Sequence, residues 1–425
     1  MKSQSKLHRW ARVTDAQSAI AAVLRKLGLH DLKKTFDRHK PSRPRRLFFV
    51  LEHTMELVIE TLDDILPFIV ADTGIIHSRH DGYSVINYVY TLENTFETAI
   101  ARECRGLKFD PDGNLIARPF HKFFNLGEKR PPQDEPWGCE HVVLSKLDGS
   151  MIHPAIVRGE LVFMTRMGMS DLSREAFRTA DEPVRKLCCD MITAGFTPIF
   201  EYTSPDNRVV LAYDRPELTL LAVREMRSGT YMAHGDVARL ASTYGVAVVS
   251  AFDSVSDYSA FWKETRAMEG IEGFVVAFAD GHRVKVKADA YALRHKALSG
   301  LAHEKNVLAW IATGATDDIL PLLTPDAASL VREYHDKVLA GLDKWESEIT
   351  GLLTEFGHLP RKDLAALLQK QLDPKLQAVA FRALSGTPAR EGLMEVLRRA
   401  SVNAAKVETI RELFDLQWRP REITE

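Results

Sequence analysis

Apolar positions along this chain change their spacing twice, and each change marks a change of architecture. In the first fifty residues Ile20, Val23, Leu24 and Leu27 make one apolar face, with Thr14 or Asp15 placed to cap a helix. A basic, proline-broken stretch follows (Lys40, Pro41, Arg43, Pro44, Arg45, Arg46) and reads as a linker. The most apolar segment, 47–76, is broken by Glu52, Glu56, Glu60, Asp63 and Asp64. Those charges exclude a membrane span and predict a buried or amphipathic helix.

From about 105 to 290 the period shortens to that of strands. Runs at Val142–Leu144, Leu161–Met164, Pro198–Tyr202, Val209–Tyr213, Leu218–Val223, Phe274–Phe278 and Val284–Val286 are separated by turn residues. Helical stretches lie between them, around 173–194 and 255–269. Strands and helices do not alternate regularly, so the pattern predicts an α+β domain with antiparallel sheets rather than a doubly wound one. Past residue 300 the strand signal ends. Leu330, Val331, Tyr334, Val338, Leu342, Trp345, Ile349, Leu352 and Phe356 recur at spacings of three and four. They predict a long amphipathic helix ending near Gly357 and Pro360. Further helices are expected over 361–371, 375–384 and 391–400. The expected organisation is a basic extension (1–50), an α+β domain (51–300) and an all-α C-terminal domain (301–425).

Composition adds little until it is divided by segment. The net charge is −2, but residues 1–50 hold 13 Lys/Arg against 3 Asp/Glu, so bulk attraction for a polyanion is confined to that head. The start of the chain shows no secretory signal. Four cysteines (Cys104, Cys139, Cys188, Cys189) have neither disulfide-framework nor zinc spacing and read as free thiols in a reducing compartment such as the cytoplasm. His77, His80 and His141 form no ligand set by spacing.

The candidate chemistry sits in Ser145-Lys146-Leu147-Asp148-Gly149-Ser150, directly after a strand-like run. Taken by itself, Asp148-Gly149 is also a hairpin-turn signal with Lys146 an exposed strand end. Further on stand Phe200-Glu201-Tyr202, Glu272-Gly273-Phe274-Val275-Val276 and Val284-Lys285-Val286-Lys287. In this order and spacing the sequence resembles the covalent nucleotidyltransferases, the superfamily of ATP-dependent ligases and capping enzymes. Glu103-Cys104-Arg105-Gly106, His121-Lys122-Phe123-Phe124-Asn125 and the string from Ser204 to Tyr213 narrow the resemblance to phage-type RNA ligases that reseal cut tRNA. It covers roughly 80–300 strongly and the helical tail weakly.

The resemblance implies a nucleotidyltransferase domain, unlike an ATP-grasp, with Lys146 as the nucleophile that carries AMP. Arg105, Lys122, Lys285, Lys287 and Arg166 would hold the nucleotide's phosphates. Arg166 stands where relatives have lysine. Glu201 would meet the ribose or a metal, and Glu272 would help hold Mg²⁺, for which Mn²⁺ can substitute. Tyr291 matches a tyrosine that follows the last motif. The implied reaction is ATP-dependent joining of RNA 3′-hydroxyl and 5′-phosphate ends, with cleaved tRNA as a substrate and a separate kinase/phosphatase to heal the ends. No G-x-x-x-x-G-K-[ST] kinase motif occurs in the chain. The alternatives are the same lysine chemistry on DNA nicks or with GTP in capping, or a protein that binds RNA ends without joining them.

The physical logic can be stated independently of any family. A lysine attacks phosphorus only as the neutral amine, and its ordinary pKa is about 10.4, so burial and neighbouring cations must favour deprotonation. Strand side chains repeat every two residues, which puts Lys285 and Lys287 on one face, where they can neutralise phosphate charge.

Overall fold

The computed structural model describes residues 57–69 and 73–419. The basic extension, its helix and its linker lie outside the described residues. The chain divides after Asp289 into two compact units, 1–289 and 290–425.

The first unit is built on three sheets. One is a four-stranded antiparallel meander of β1 (Ile75–His80), β2 (Tyr83–Tyr88), β3 (Leu107–Phe109) and β4 (Leu115–Ala117). The others are made from β5 (Phe124–Asn125), β6 (His141–Lys146), β7 (Ser150–Val157), β8 (Glu160–Met164), β9 (Phe196–Thr203), β10 (Glu217–Glu225), β11 (Ala251–Phe252), β12 (Gly273–Phe278) and β13 (Arg283–Lys287). They run β10-β9-β7-β8 and β11-β6-β12-β13-β5. Among the described residues the named strands pair antiparallel except β5 with β13. The architecture is therefore α+β with antiparallel sheets. Alternation explains the packing: Val284 and Val286 enter a core with Val143, Val276 and Phe278, which leaves the odd-numbered cations of β13 on the opposite face.

Most strand expectations coincide with strands, with one exception. Residues 209–213 form an irregular loop, not a strand. Their backbone N–H groups are spent on a distant carboxylate: Val210 and Leu211 both donate to Asp148 Oδ2, at 2.8 and 2.5 Å. The stretch around 173–194 is two helices, Asp171–Thr179 and Glu182–Thr193. Asp181 caps the second and Pro183 stands in its first turn, where proline is tolerated. The expected helix within 47–76 does not form over its described part. Residues 57–69 hold two single 3₁₀ turns, the first held by Asp64 accepting from the N–H groups of Glu60 and Thr61, and β1 begins at Ile75. Asp148-Gly149 is not a hairpin turn either, because β6 and β7 belong to different sheets.

The second unit is helical throughout its described residues. Its longest helix runs Pro325–Phe356, started by Thr324 as N-cap, and buries Val331, Tyr334, Val338, Leu342 and Ile349 along one stripe. Helices Arg361–Gln371, Pro374–Leu384 and Ala389–Ala400 follow. Among the described residues no helix is long and apolar enough to cross a membrane.

Candidate active site

Lys146 is the last residue of β6, at the point where the chain leaves one sheet for another. Two glycines let the backbones close up there. A Cβ on Gly149 would lie 2.4 Å from Tyr202 O, and one on Gly273, whose φ is +140°, would lie 2.0 Å from Val286 O. Gly273 pairs with Lys146 on one side and Lys287 on the other. The residue before it, Glu272, is consequently within reach of both amines. Its Oε1 stands 2.8 Å from Lys146 Nζ and 3.0 Å from Lys287 Nζ. Glu272 is buried, so this carboxylate is held in place by two ammonium groups rather than by water.

Beside this triad lies a cavity of about 220 Å³ lined by Arg105, Phe123, Lys146, Glu201, Arg283 and Lys285, among others. Glu201, on β9, accepts the Gly149 N–H at 3.1 Å. Burial pushes its carboxyl up to about 7. Glu272 and Asp148 add to the rise, while Lys146 and the Gly149 N–H oppose it. Lys285 moves the other way: burial, then Arg105, Lys146, Lys122 and Lys287, bring its ammonium down to about 7. Its Nζ lies 4.9 Å from the centroid of the Phe123 ring. The β5–β13 pairing sets this contact by putting Asn125 opposite Lys285. A carboxylic acid and an amine that both titrate near neutrality, in one cavity with a second lysine, suit proton movement and binding of a polyanion.

Asp148, two residues after Lys146, is a fixed point of the site. Its carboxylate takes the two N–H groups of the 210–211 loop, and its own N–H donates to the Tyr213 hydroxyl at 3.0 Å. Ser150 and Asn207 exchange further hydrogen bonds. The Lys146 string and the 204–213 string are thus one structural piece. Sequence reading singled out both strings without seeing that they touch.

A family profile described as RNA ligase matches residues 103–291, the stretch that holds this cavity. RNA ligase 1 of bacteriophage TS2126 is 28% identical over 347 residues, covering 76% of this chain and 86% of that protein. A Thermovibrio ammonificans protein that carries the provisional name of RNA ligase is 29% identical over 301 residues, covering 68% of this chain and 78% of that one. Over residues 103–291, and more thinly across most of its length, the chain is similar to RNA ligases. Among solved structures, an archaeal ATP-dependent RNA ligase aligns over 80% of this chain and 84% of its own, with 14% identity and a TM-score of 0.40. A Naegleria gruberi RNA ligase variant solved with ATP and Mn aligns over 41% of this chain, at 15% identity and a TM-score of 0.33. The chain spans 57% of that ligase's length.

Not every residue expected at the nucleotide lines the cavity. Arg166 instead donates to Asn87 Oδ1 at 3.2 Å and Tyr88 O at 3.0 Å, with its guanidinium 4.3 Å from the centroid of the Tyr88 ring. In this structure Arg166 is a cation that pins β2, its planar guanidinium set against an aromatic face and two oxygens. Lys122 is also absent from the lining. Its Nζ sits within 5.2–5.6 Å of the ring centroids of Tyr88, Phe96 and Phe124, close enough to Lys285 to depress the latter's pKa. Tyr291 falls in the second unit, where it is buried and stacks on His295. Sequence reading missed Arg283, although it stands two residues before Lys285 and therefore on the same strand face.

Proposed function

We propose that this chain is an ATP-dependent RNA ligase that works through a phosphoramidate on Lys146. The observation that carries the reading is one amine, partly exposed at the edge of a cavity and bounded by Glu272, Glu201 and Lys285. In the first step Lys146 Nζ bonds to the α-phosphorus of ATP as the bond to pyrophosphate breaks. Pyrophosphate leaves with the electron pair, and the amine's proton passes to a base. The carboxylate already in contact, Glu272, is the group in position to take that proton. Lys285 and Lys287, on one face of β13, balance the charge that builds on the phosphates. In the second step an RNA 5′-phosphate oxygen attacks the adenylyl phosphorus, and the nitrogen leaves to recover a proton. In the third, the 3′-hydroxyl of the other end attacks the activated phosphate and AMP is released.

A divalent cation would add charge neutralisation at the phosphates. Among the described residues there is no group of three or more side chains able to hold a metal unaided. Glu201 and Glu272 fit Mg²⁺ only in its usual mode, with one or two carboxylates and the remaining places filled by phosphate oxygens and water. Mn²⁺ would fit the same donors.

The substrate end of the proposal is RNA, with cut tRNA suggested by the resemblance that the 103–106, 121–125 and 204–213 strings carry. The helical residues and the basic head would supply the grip on RNA, and a separate kinase/phosphatase would heal the ends first. Label transfer from [α-³²P]ATP to the protein tests the chemistry. The wild type should carry acid-labile label, and Lys146→Ala should carry none. Persistent labelling of that variant would refute the assignment of the nucleophile. A ligation panel of nicked tRNA, single-stranded RNA ends, nicked duplex DNA and GTP in place of ATP tests the substrate.

A further inference from the structure

The stripe of cations on β13 does not begin at Lys285. Arg283 shares its face, because side chains at 283, 285 and 287 alternate with the buried Val284 and Val286. Unlike the two lysines, Arg283 is 5% exposed, and it is among the residues that line the cavity. The same lining has an apolar share made of Phe120, Leu144, Leu221, Val249 and Val275. The guanidinium is held between two rings, 4.2 Å from the Tyr231 centroid and 5.2 Å from that of Phe120. Its charge has aromatic support and a side-chain hydrogen bond with Tyr231, but its Nε has no hydrogen-bond partner. A buried donor without an acceptor is destabilising, and an arginine cannot escape that cost by deprotonating. This is the deficit that a ligand's acceptor would remove.

The lining is chemically of two kinds. Lys146 and Lys285 suit phosphates. The apolar side chains suit a flat heteroaromatic ring, and Arg283 adds a charged donor to them. We infer that Arg283 reads the base of the bound nucleotide, donating a hydrogen bond to a ring-nitrogen acceptor of the purine. The inference rests on the ATP reading above and adds to it a specificity residue outside the motifs that define the family resemblance. Adenine presents N1, N3 and N7 as acceptors, and removing any one of them leaves its shape almost unchanged.

The test follows from that chemistry. The rate of protein–AMP formation is measured with ATP and with 1-deaza-, 3-deaza- and 7-deaza-ATP, for the wild type and for Arg283→Met. The wild type should lose about tenfold or more with one of the three analogues, as expected for a hydrogen bond to a charged donor, and little with the other two. In Arg283→Met the same analogue should react within about threefold of ATP, because the donor is already gone. A merely structural arginine would slow all four nucleotides alike and leave the analogue ratio untouched, which would overturn the inference. The wild-type series is decisive even where the variant fails to fold, since equal rates with all four nucleotides also overturn it. Absence of any adduct from ATP in the wild type would instead sink the ligase chemistry and this inference with it. An intact ATP reaction without discrimination removes only the role of Arg283.

Discussion

Two clusters of buried charge lie in the first unit, and they are built on opposite plans. In one, Glu103 is bracketed by Arg118 at 3.1 Å and Arg224 at 2.5 Å. Both guanidiniums spend their remaining donors on carbonyls: Arg118 on Leu57, Met226 and Arg227, Arg224 on Pro119 and Gly229. Against the upward push of burial, the two arginines hold the Glu103 carboxyl down to about 2. In the other cluster, Glu201 is carried up to about 7 and Lys285 down to about 7, while Glu272 is shared between two lysines. The first cluster is a closed set of satisfied charges that fixes the chain. The second sets oppositely shifted groups beside a cavity, and that arrangement suits it to respond to an incoming polyanion. A perturbed pair of opposite kinds beside a cavity marks function where a buried salt bridge alone would not.

Breaking the closed cluster should have the largest effect on stability. Glu103→Ala leaves two buried guanidiniums facing each other, at a cost of about 3–5 kcal/mol. Urea unfolding of this variant should show a much lower midpoint. The same truncation at Glu272 should cost under about 1 kcal/mol, because Lys146 and Lys287 are 22% and 29% exposed and water can take over their solvation. Equal losses for the two variants would erase the distinction between the clusters. Adenylylation should separate them in the opposite sense, with Glu272→Ala the more damaging of the two.

The pH dependence of stability sharpens the contrast. For Glu201 the folded pKa lies above the unfolded one, so between about 4.5 and about 7 the folded chain binds the extra proton and stability falls as pH rises. For Lys285 the folded value lies below the unfolded one. Between about 7 and 10.5 the unfolded chain binds the extra proton, and stability rises with pH. The site should therefore impose a minimum near pH 7 on the unfolding free energy. Glu201→Gln should flatten its acid side and Lys285→Met its alkaline side. Glu103 acts in a different window: its contribution is complete above about 4.5 and is lost only as pH falls towards about 2. Profiles measured by urea titration at steps from pH 4.5 to 10 that keep their shape in both variants would contradict the opposed shifts.

Sequence reading reached the second cluster more fully than the first because its parts carry local signals. Lys146 sits in a recognisable string, and Lys285 and Lys287 announce a shared face by their spacing. The helical region was legible for the same reason: an apolar stripe of period 3.6 needs no knowledge of its partner, and Pro325–Phe356 ends at Gly357 as the pattern predicts. What was illegible depended on contacts distant in sequence. Val209–Tyr213 has strand composition, but Asp148, 62 residues earlier, takes the N–H of Val210 and prevents a ladder from using it. Arg283 carried a signal that could have found it, the same period-two argument applied one step further back. Arg166 and Lys122 show the other limit, for a string of residues supplies a charge without saying which way it points.

Arg166 gives the smallest expected effect and the cleanest check on that limit. Its guanidinium makes two hydrogen bonds to β2 and lies on the Tyr88 ring, outside the lining of the cavity that holds Lys146. In Arg166→Lys the charge survives but the planar fork does not, so one hydrogen bond and part of the stacking are lost, a cost of about 1 kcal/mol. The melting midpoint should drop by a few degrees, while the rate of adduct formation at saturating ATP stays within about twofold of the wild type. A phosphate clamp predicts the reverse, an unchanged midpoint with a raised KM for ATP, since an ammonium would still meet the phosphate but without bidentate geometry. Whichever quantity moves assigns Arg166 to the satisfied charges that hold the fold or to the poised ones that meet the nucleotide.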